Sequence, residues 1–283
     1  MKRLLGVAAL LAIVACGPGS GAQPTPPTAA LGAWTDFPAS QAPRPIVLLG
    51  IDSQGQAFTT ASKIAALCRR FQLNIQLPAE IPKQATASWV DGTAATYSAI
   101  SATEAFAALK RAPGATGGMC SGAVPLAVSA AHFGVAGFST DRGTAQISAW
   151  FFTVLGARAD FIYPAVPASA IWGGGLTDRQ GSGGASVSAD GRSVNFGFIG
   201  GECDAGYRSA VAESPSAVAV AVQAIAKEGV TYCSAVGYAR SIRVTLASPL
   251  GGRVLLTAHG YPAVVCPEVS APASGPPSLT ARC

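Results

Sequence analysis

The chain holds two histidines, His132 and His259, few aromatic residues, and no apolar run near the roughly 20 residues that a membrane-spanning helix requires. Each shortage removes a class of function. Neither histidine has a cysteine, histidine or carboxylate at ligand spacing, so no structural zinc site is expected. His132 falls in an apolar strand pattern and His259 precedes Gly260 at a turn, positions that suit packed or solvated residues. The alternating Asp/Asn pattern of a calcium loop is missing around Asp178 and Gly181-Ser182-Gly183-Gly184, and around Glu202 and Asp204 beside Cys203. The glycine-rich runs lack the G-x-x-x-x-G-K-[ST] of a phosphate loop and serve turns instead. Basic residues are thinly spread with no interleaved aromatics, which argues against nucleic acid as a partner. Neither a cofactor nor a metal is expected.

What is present begins at the amino terminus. Lys2 and Arg3 precede an apolar stretch of 12 residues, 4–15, with the length and charge pattern of a signal peptide. Its end, Ile13-Val14-Ala15-Cys16, resembles a bacterial lipobox, which implies lipidation of the Cys16 thiol and cleavage just before it. Two acyl chains, at about 0.8 kcal/mol per buried CH₂, anchor stably where one does not. The following GPGSGAQPTPPTAA has no charge and few large apolar residues, so 16–33 reads as a Pro/Gly-rich tether. The expected location is the extracytoplasmic face of the cell membrane, reached through the lipid anchor.

Removing Lys2 and Arg3 lowers the side-chain balance from +5 to +3. The remaining about 250 residues can bury a core as one large domain or two smaller ones. Besides Cys16 there are six cysteines, Cys68, Cys120, Cys203, Cys233, Cys266 and Cys283. In an exported protein an even number implies disulfides, and six residues allow 15 pairings that sequence does not choose between. The neighbour arrangement Cys203–Cys233, Cys68–Cys120 and Cys266–Cys283 is the expectation. The first would close about 30 residues, worth about 3–4 kcal/mol in the chain-entropy model.

The pattern along the chain divides it. Residues 44–50 read as a short buried strand, and 59–71 as a helix with Ile64, Leu67, Cys68 and Phe71 on one buried face. Ser101-Ala102-Thr103-Glu104 is a capping box that opens a second helix anchored by Phe106 and Leu109, with Lys110 and Arg111 at its end. Beyond residue 123 the period becomes two. Segments 125–138 and 145–155 flank a turn at Thr140-Asp141-Arg142-Gly143, and 161–166 forms another short strand. Asp190-Gly191 marks a hairpin between Val187 and Val194. Glu213-Ser214-Pro215-Ser216 separates 207–211 from the alternating Val218, Val220, Val222. Ile242, Val244 and Leu246 alternate, then Pro249-Leu250-Gly251-Gly252 turns the chain so that 254–256 returns. The fold expected is α+β: an α+β amino-terminal half, 34–172, followed by an all-β, sandwich-like carboxy-terminal half, 173–283.

Several blocks resemble uncharacterised actinobacterial secreted proteins and lipoproteins. They include Pro43-Arg44-Pro45-Ile46-Val47-Leu48-Leu49-Gly50, Trp150-Phe151-Phe152-Thr153-Val154, Ile171-Trp172-Gly173-Gly174-Gly175 and Glu213-Ser214-Pro215-Ser216-Ala217-Val218. Cys233-Ser234-Ala235-Val236-Gly237-Tyr238-Ala239-Arg240 and Pro249-Leu250-Gly251-Gly252-Arg253-Val254-Leu255 belong with them. The resemblance supports the lipoprotein reading and the Cys203–Cys233 pair, and it brings no catalytic residues.

Two site candidates remain. Gly118-Met119-Cys120-Ser121-Gly122 matches a cysteine version of the nucleophile elbow, with Cys120 or Ser121 attacking and a histidine as base. The loop before it and Pro125 after it do not supply the strand and helix that such an elbow needs, and an oxidising compartment favours a disulfide. Trp150, Phe151, Phe152, Phe161, Tyr163 and Trp172 gather in one segment; three consecutive aromatics cannot all face one core, because strand side chains alternate, so at least one lies at a sheet–sheet interface or on an exposed surface. Trp150, Phe152, Tyr163 and Trp172 are the candidate binding surface, with ordinary two-sided packing as the alternative. The reading is therefore a lipid-anchored envelope protein that binds a ligand or partner without catalysis, with a hydrolase built on Cys120 and a purely structural envelope protein as alternatives.

Overall fold

The computed structural model describes residues 25–49, 59–112, 114–157, 160–173, 184–230 and 232–267. Cys16, Asp178, Gly181-Ser182-Gly183 and Cys283 lie outside them, as do the leader and half of the tether, 16–24. The described chain is mostly β, with two α-helices and three sheets.

The first sheet contains β1 (Phe71–Leu73), β2 (Ala85–Trp89), β3 (Ala94–Tyr97), β4 (Leu126–Thr140), β5 (Gly143–Val154) and β6 (Phe161–Pro164). Its order is β1-β4-β5-β2-β3, with β6 also on β5. The hairpin β4–β5 closes at Thr140, whose buried hydroxyl donates to the Gly143 carbonyl at 2.7 Å and accepts from the Arg142 backbone N–H and the Trp89 indole. Helix α2 (Ala102–Arg111) lies against this sheet. Its capping box is formed in both directions, Glu104 N–H to Ser101 Oγ at 3.1 Å and Ser101 N–H to Glu104 Oε2 at 2.8 Å. It buries Ala102, Ala105, Phe106 and Leu109, and Phe106 meets Phe152 with ring centroids 5.5 Å apart.

Helix α1 (Thr60–Leu67) is shorter than its periodicity suggests. Arg69 adopts φ +53°, which turns the chain out of the helix, so Phe71 begins β1 rather than completing a helical face. On α1 Ala65 is buried, while Leu67 is exposed. Residues 44–49 form no full strand. Ile46 and Leu48 make single bridges to Ile171 and Thr140, and all of 46–49 is buried.

The carboxy-terminal strands are β7 (Gly184–Val187), β8 (Ser193–Gly201), β9 (Asp204–Glu213), β10 (Ala217–Ala226), β11 (Gly237–Thr245), β12 (Val254–Thr257) and β13 (Val264–Pro267). They form two sheets, β12-β10-β9 and β11-β8-β7-β13. Both expected hairpins are present, β7–β8 around Gly191 at φ +72°, a conformation that glycine adopts without strain, and β9–β10 around Ser214. The turn at 249–252 does not make a hairpin. β11 pairs antiparallel with β8 and β12 pairs parallel with β10, so this turn carries the chain from one sheet to the other.

The two sheets share a core of Val194, Phe196, Val218, Val220, Val244, Leu246 and Leu255. The alternate residues of β10, Ala217 and Ala219, face a different core with Trp34, Phe37, Val47, Leu49, Val254 and Leu256. β10 is thus buried on both faces at its start, and the segment covering it comes from the amino terminus. Residues 28–33, read from composition as tether, belong to a short 3-10 turn (Thr28–Trp34) that buries Ala30 and donates the Trp34 indole N–H to the Gly260 carbonyl at 3.1 Å.

Arg44 ties these parts together. Its guanidinium grips Asp141 through both terminal nitrogens, its Nε donates to the Gly252 carbonyl at 2.6 Å, and it lies 4.7 Å from the centre of the Phe37 ring. Asp141 is 2% exposed, and its backbone bonds Val47 and Val265. Removing one member of a buried pair strands the other charge, so Arg44→Met is expected to lower the urea unfolding free energy by about 3–5 kcal/mol. The double variant Arg44→Met/Asp141→Asn should lose less; equal losses would sink the pairing argument.

Glu213, at the end of β9, accepts from the Ala247 N–H at 2.7 Å and from Arg253 Nη1 at 2.8 Å. Burial pulls its carboxyl upward, but these donors outweigh it and hold the group below its ordinary value of 4.5. A depressed folded value means the stabilisation is present above about pH 4.5 and is lost as pH falls through the folded value. Glu213→Gln is therefore expected to flatten the acid limb of the stability–pH curve, measured by denaturant midpoints from pH 6 to pH 3 in steps of about one unit.

Candidate functional site

Parallel pairing of β1 with β4 sets Phe71 beside Leu126, so the segments that enter these strands lie at the same end of the sheet. Cys68, at the C-terminus of α1, and Cys120, in a 3-10 turn (Gly118–Cys120), meet there in a disulfide. Ala115 N–H donates to the Leu67 carbonyl at 2.8 Å, and Leu126 N–H to the Arg70 carbonyl at 2.8 Å. Gly114 runs so close to α1 that a Cβ there would stand 2.6 Å from the Leu67 carbonyl oxygen, which only glycine tolerates. The entry to β1 and the loop before β4 are thus fastened by a covalent bond and two backbone hydrogen bonds.

Between this loop, α1 and the end of α2 opens a cleft of about 800 Å³. Arg69, Arg70 and Lys110 line it, together with Phe71, the disulfide, Thr116 and Ser121. Among the described residues no carboxylate lines it; residues 59–79 and 105–140 contain no Asp or Glu while carrying Lys63, Arg69, Arg70, Lys110 and Arg111. Arg70 and Lys110 are exposed. Lys110 lies 5.8 Å from the Phe106 ring centre and sits in the last turn of α2, at the negative end of the helix dipole. A concave lining that carries cations and, among the described residues, no carboxylate favours an anion electrostatically.

The cleft offers no thiol nucleophile, because the Cys120 sulfur is bonded to Cys68. Ser121 lies in the lining, but neither histidine does. His132 is exposed on β4 with its ring stacked on Phe151 at 4.8 Å, and His259 is exposed in the turn after β12. The constellation of nucleophile and base read from Gly118-Met119-Cys120-Ser121-Gly122 is therefore not assembled among the described residues.

The aromatic candidates are placed mostly in the core. Trp150, Phe152 and Tyr163 are buried, Trp150 donating its indole N–H to the Ile100 carbonyl at 2.9 Å. Burial pushes the Tyr163 phenol above its ordinary 10.0, a rise opposed by Arg111. Trp172 is half-buried, stacked on Trp34 at 6.2 Å and edge-on to Phe37 at 5.1 Å. These four do not form an open face, because α2 covers one side of β5 and the amino-terminal segment packs on Trp172. Phe151 does point the other way, beneath His132.

The remaining candidates are structural in their contacts. Asp204 accepts from the Tyr207 hydroxyl at 2.8 Å and the Gly201 N–H at 2.6 Å, which hold its carboxyl below the ordinary range. Glu202 accepts from the Ser234 hydroxyl. Cys203 pairs with Cys233, and Cys266 is likewise disulfide-bonded. No group of three or more potential metal ligands occurs among the described residues.

The cations of the cleft escaped the motif search because each looked ordinary alone: Lys110 and Arg111 as a helix terminus, Arg69 and Arg70 as neighbours of a cysteine. The usable signal was the absence of acid across two long stretches.

The Cys68–Cys120 bond spans 52 residues, which corresponds to about 4 kcal/mol in the chain-entropy model. The double variant Cys68→Ser/Cys120→Ser is expected to melt about 8–16 °C lower in calorimetry. Alkylation of the unreduced protein should label none of Cys68, Cys120, Cys203 and Cys233; label on Cys120 would restore it as a nucleophile.

Compared with protein-family models, curated proteins and solved structures, the chain matches none.

Proposed function

We propose that this chain is a lipid-anchored protein of the extracytoplasmic membrane face whose role is non-catalytic: it holds an anionic ligand in the basic cleft beside the Cys68–Cys120 bond. The leader, the lipobox-like Ile13-Val14-Ala15-Cys16 and the resemblance to actinobacterial secreted proteins and lipoproteins support the address. Two disulfides among the described residues are consistent with an oxidising compartment. No helix among the described residues is long and apolar enough to cross a membrane. In this reading the body combines an α+β amino-terminal half with a sandwich-like carboxy-terminal half.

The single observation that carries the ligand assignment is the cleft itself, with exposed Arg70 and Lys110 in its lining and no carboxylate there among the described residues. Oxidation of Cys120 weighs against the hydrolase reading. A purely structural envelope protein would have no saturable ligand, so titration separates the two.

Calorimetric titration of the full chain with inorganic phosphate is expected to show saturable binding. Charge-assisted hydrogen bonds contribute about 1.5–3 kcal/mol, so Arg70→Gln should weaken it at least about tenfold, and Lys110→Gln similarly. Heats that are absent, or equal in parent and variants, would falsify the cleft as the site.

A further inference from the structure

Next in the chain to lining residues of the cleft stand apolar side chains that the fold leaves uncovered. Leu67 is 47% exposed, Met119 59% and Val124 78%. Leu67 adjoins Cys68, Met119 adjoins Cys120, and Val124 adjoins Pro125, all three neighbours belonging to the cleft lining. The disulfide and the Ala115-to-Leu67 hydrogen bond hold these residues on one stapled unit with Arg70. A soluble anion has no use for such a border. A membrane surface does, because it presents phosphate charge at the level of the headgroups and apolar volume just beneath.

We propose that this unit is a membrane-docking surface for anionic phospholipid: Arg70 and Lys110 hold headgroup phosphates in the cleft while Leu67, Met119 and Val124 enter the interface. The inference rests on the anion-site reading above and names the source of the anion. Charge complementarity favours this occupant, since exposed Arg70 and Lys110 line the cleft and no carboxylate lines it among the described residues. An anchor at Cys16 would hold the body near the bilayer without orienting it; this face would set the orientation, with the cleft toward the lipid.

The test is hydrogen–deuterium exchange of the full chain on vesicles of pure phosphatidylcholine and of phosphatidylcholine with about one third phosphatidylglycerol. The leader and tether are common to every sample, so the local readout is exchange in 63–71 and 114–126. Slower exchange there on the anionic vesicles alone is expected. Each cation near an anionic surface contributes about fivefold to association, so Arg70→Gln/Lys110→Gln should reduce the docked population about 20- to 30-fold. Met119→Ser/Val124→Ser, at exposed positions that leave the core untouched, should also release the surface. Phosphate binding in solution without any slowing on anionic vesicles overturns the lipid assignment and leaves the anion site standing. Loss of both overturns both. Slowing that survives Met119→Ser/Val124→Ser unchanged overturns entry of the apolar border into the bilayer.

Discussion

The buried pair Arg44–Asp141 is the contact on which the arrangement of the chain depends. Taking two charges out of water costs several kcal/mol each, so such a pair persists only where geometry and further hydrogen bonds offset that cost. Here the fork of the guanidinium matches both carboxylate oxygens, Nε finds the Gly252 carbonyl, and Phe37 covers the cationic face. Arg44 lies in the amino-terminal segment, Asp141 in the β4–β5 turn, and Gly252 in the crossing between the carboxy-terminal sheets. A shift of Arg44 or Asp141 leaves the other charge without its counter-charge in a nonpolar setting, and a shift of Gly252 leaves the Arg44 Nε–H without its acceptor. The pair therefore specifies register more than it adds net stability.

That register explains why the start of β10 is apolar without interruption. Its valines, Val218 and Val220, serve the core between the two carboxy-terminal sheets, and its alanines, Ala217 and Ala219, serve the core under Trp34. The small residues occur on the side where an indole and a phenyl ring must approach the backbone. Trp172 joins the same cluster from the far end of the first sheet, so the boundary that the glycine run at 173 suggests in sequence is bridged by packing. The carboxy-terminal sheets would expose an apolar face without residues 28–49, and these residues would lack a partner without β10 and β12.

Local chemistry was legible where it acts over a few residues. The capping box at Ser101, the Asp190-Gly191 turn and the Thr140–Gly143 hairpin each declare themselves because their hydrogen bonds join near neighbours in the chain. Long-range partners were not legible. Alternation in 242–246 and 254–256 marks strands, but whether they pair depends on the rest of both sheets, and they occupy different ones. The helical period from Ile64 to Phe71 misled because Arg69 takes a left-handed conformation that no propensity announces. The aromatic segment shows the same limit: alternation requires that Trp150, Phe151 and Phe152 not all share one core, yet it says neither which of them turns away nor that α2 arrives to cover Trp150 and Phe152.

The cleft follows from topology in the same manner. Parallel strands begin at the same end, so pairing Phe71 with Leu126 necessarily brings residues 68–70 near residues 120–125, and the disulfide closes there without further rearrangement. The two stretches that meet are those without acid, so their positive charges concentrate although neither stretch is basic enough to stand out. Buried cations elsewhere are matched: Arg44 by Asp141, Arg253 by Glu213. Arg142, pressed 3.8 Å over the Trp89 ring, is depressed below its ordinary value by burial and by Arg44, with Asp141 opposing. These interior cations are tied to acids or rings within the fold, whereas Arg70 and Lys110 are exposed in a concave lining that shows no carboxylate among the described residues. In the proposed reading an outside anion supplies their counter-charge, and the exposed apolar residues next to the lining in the chain favour one presented on a lipid surface.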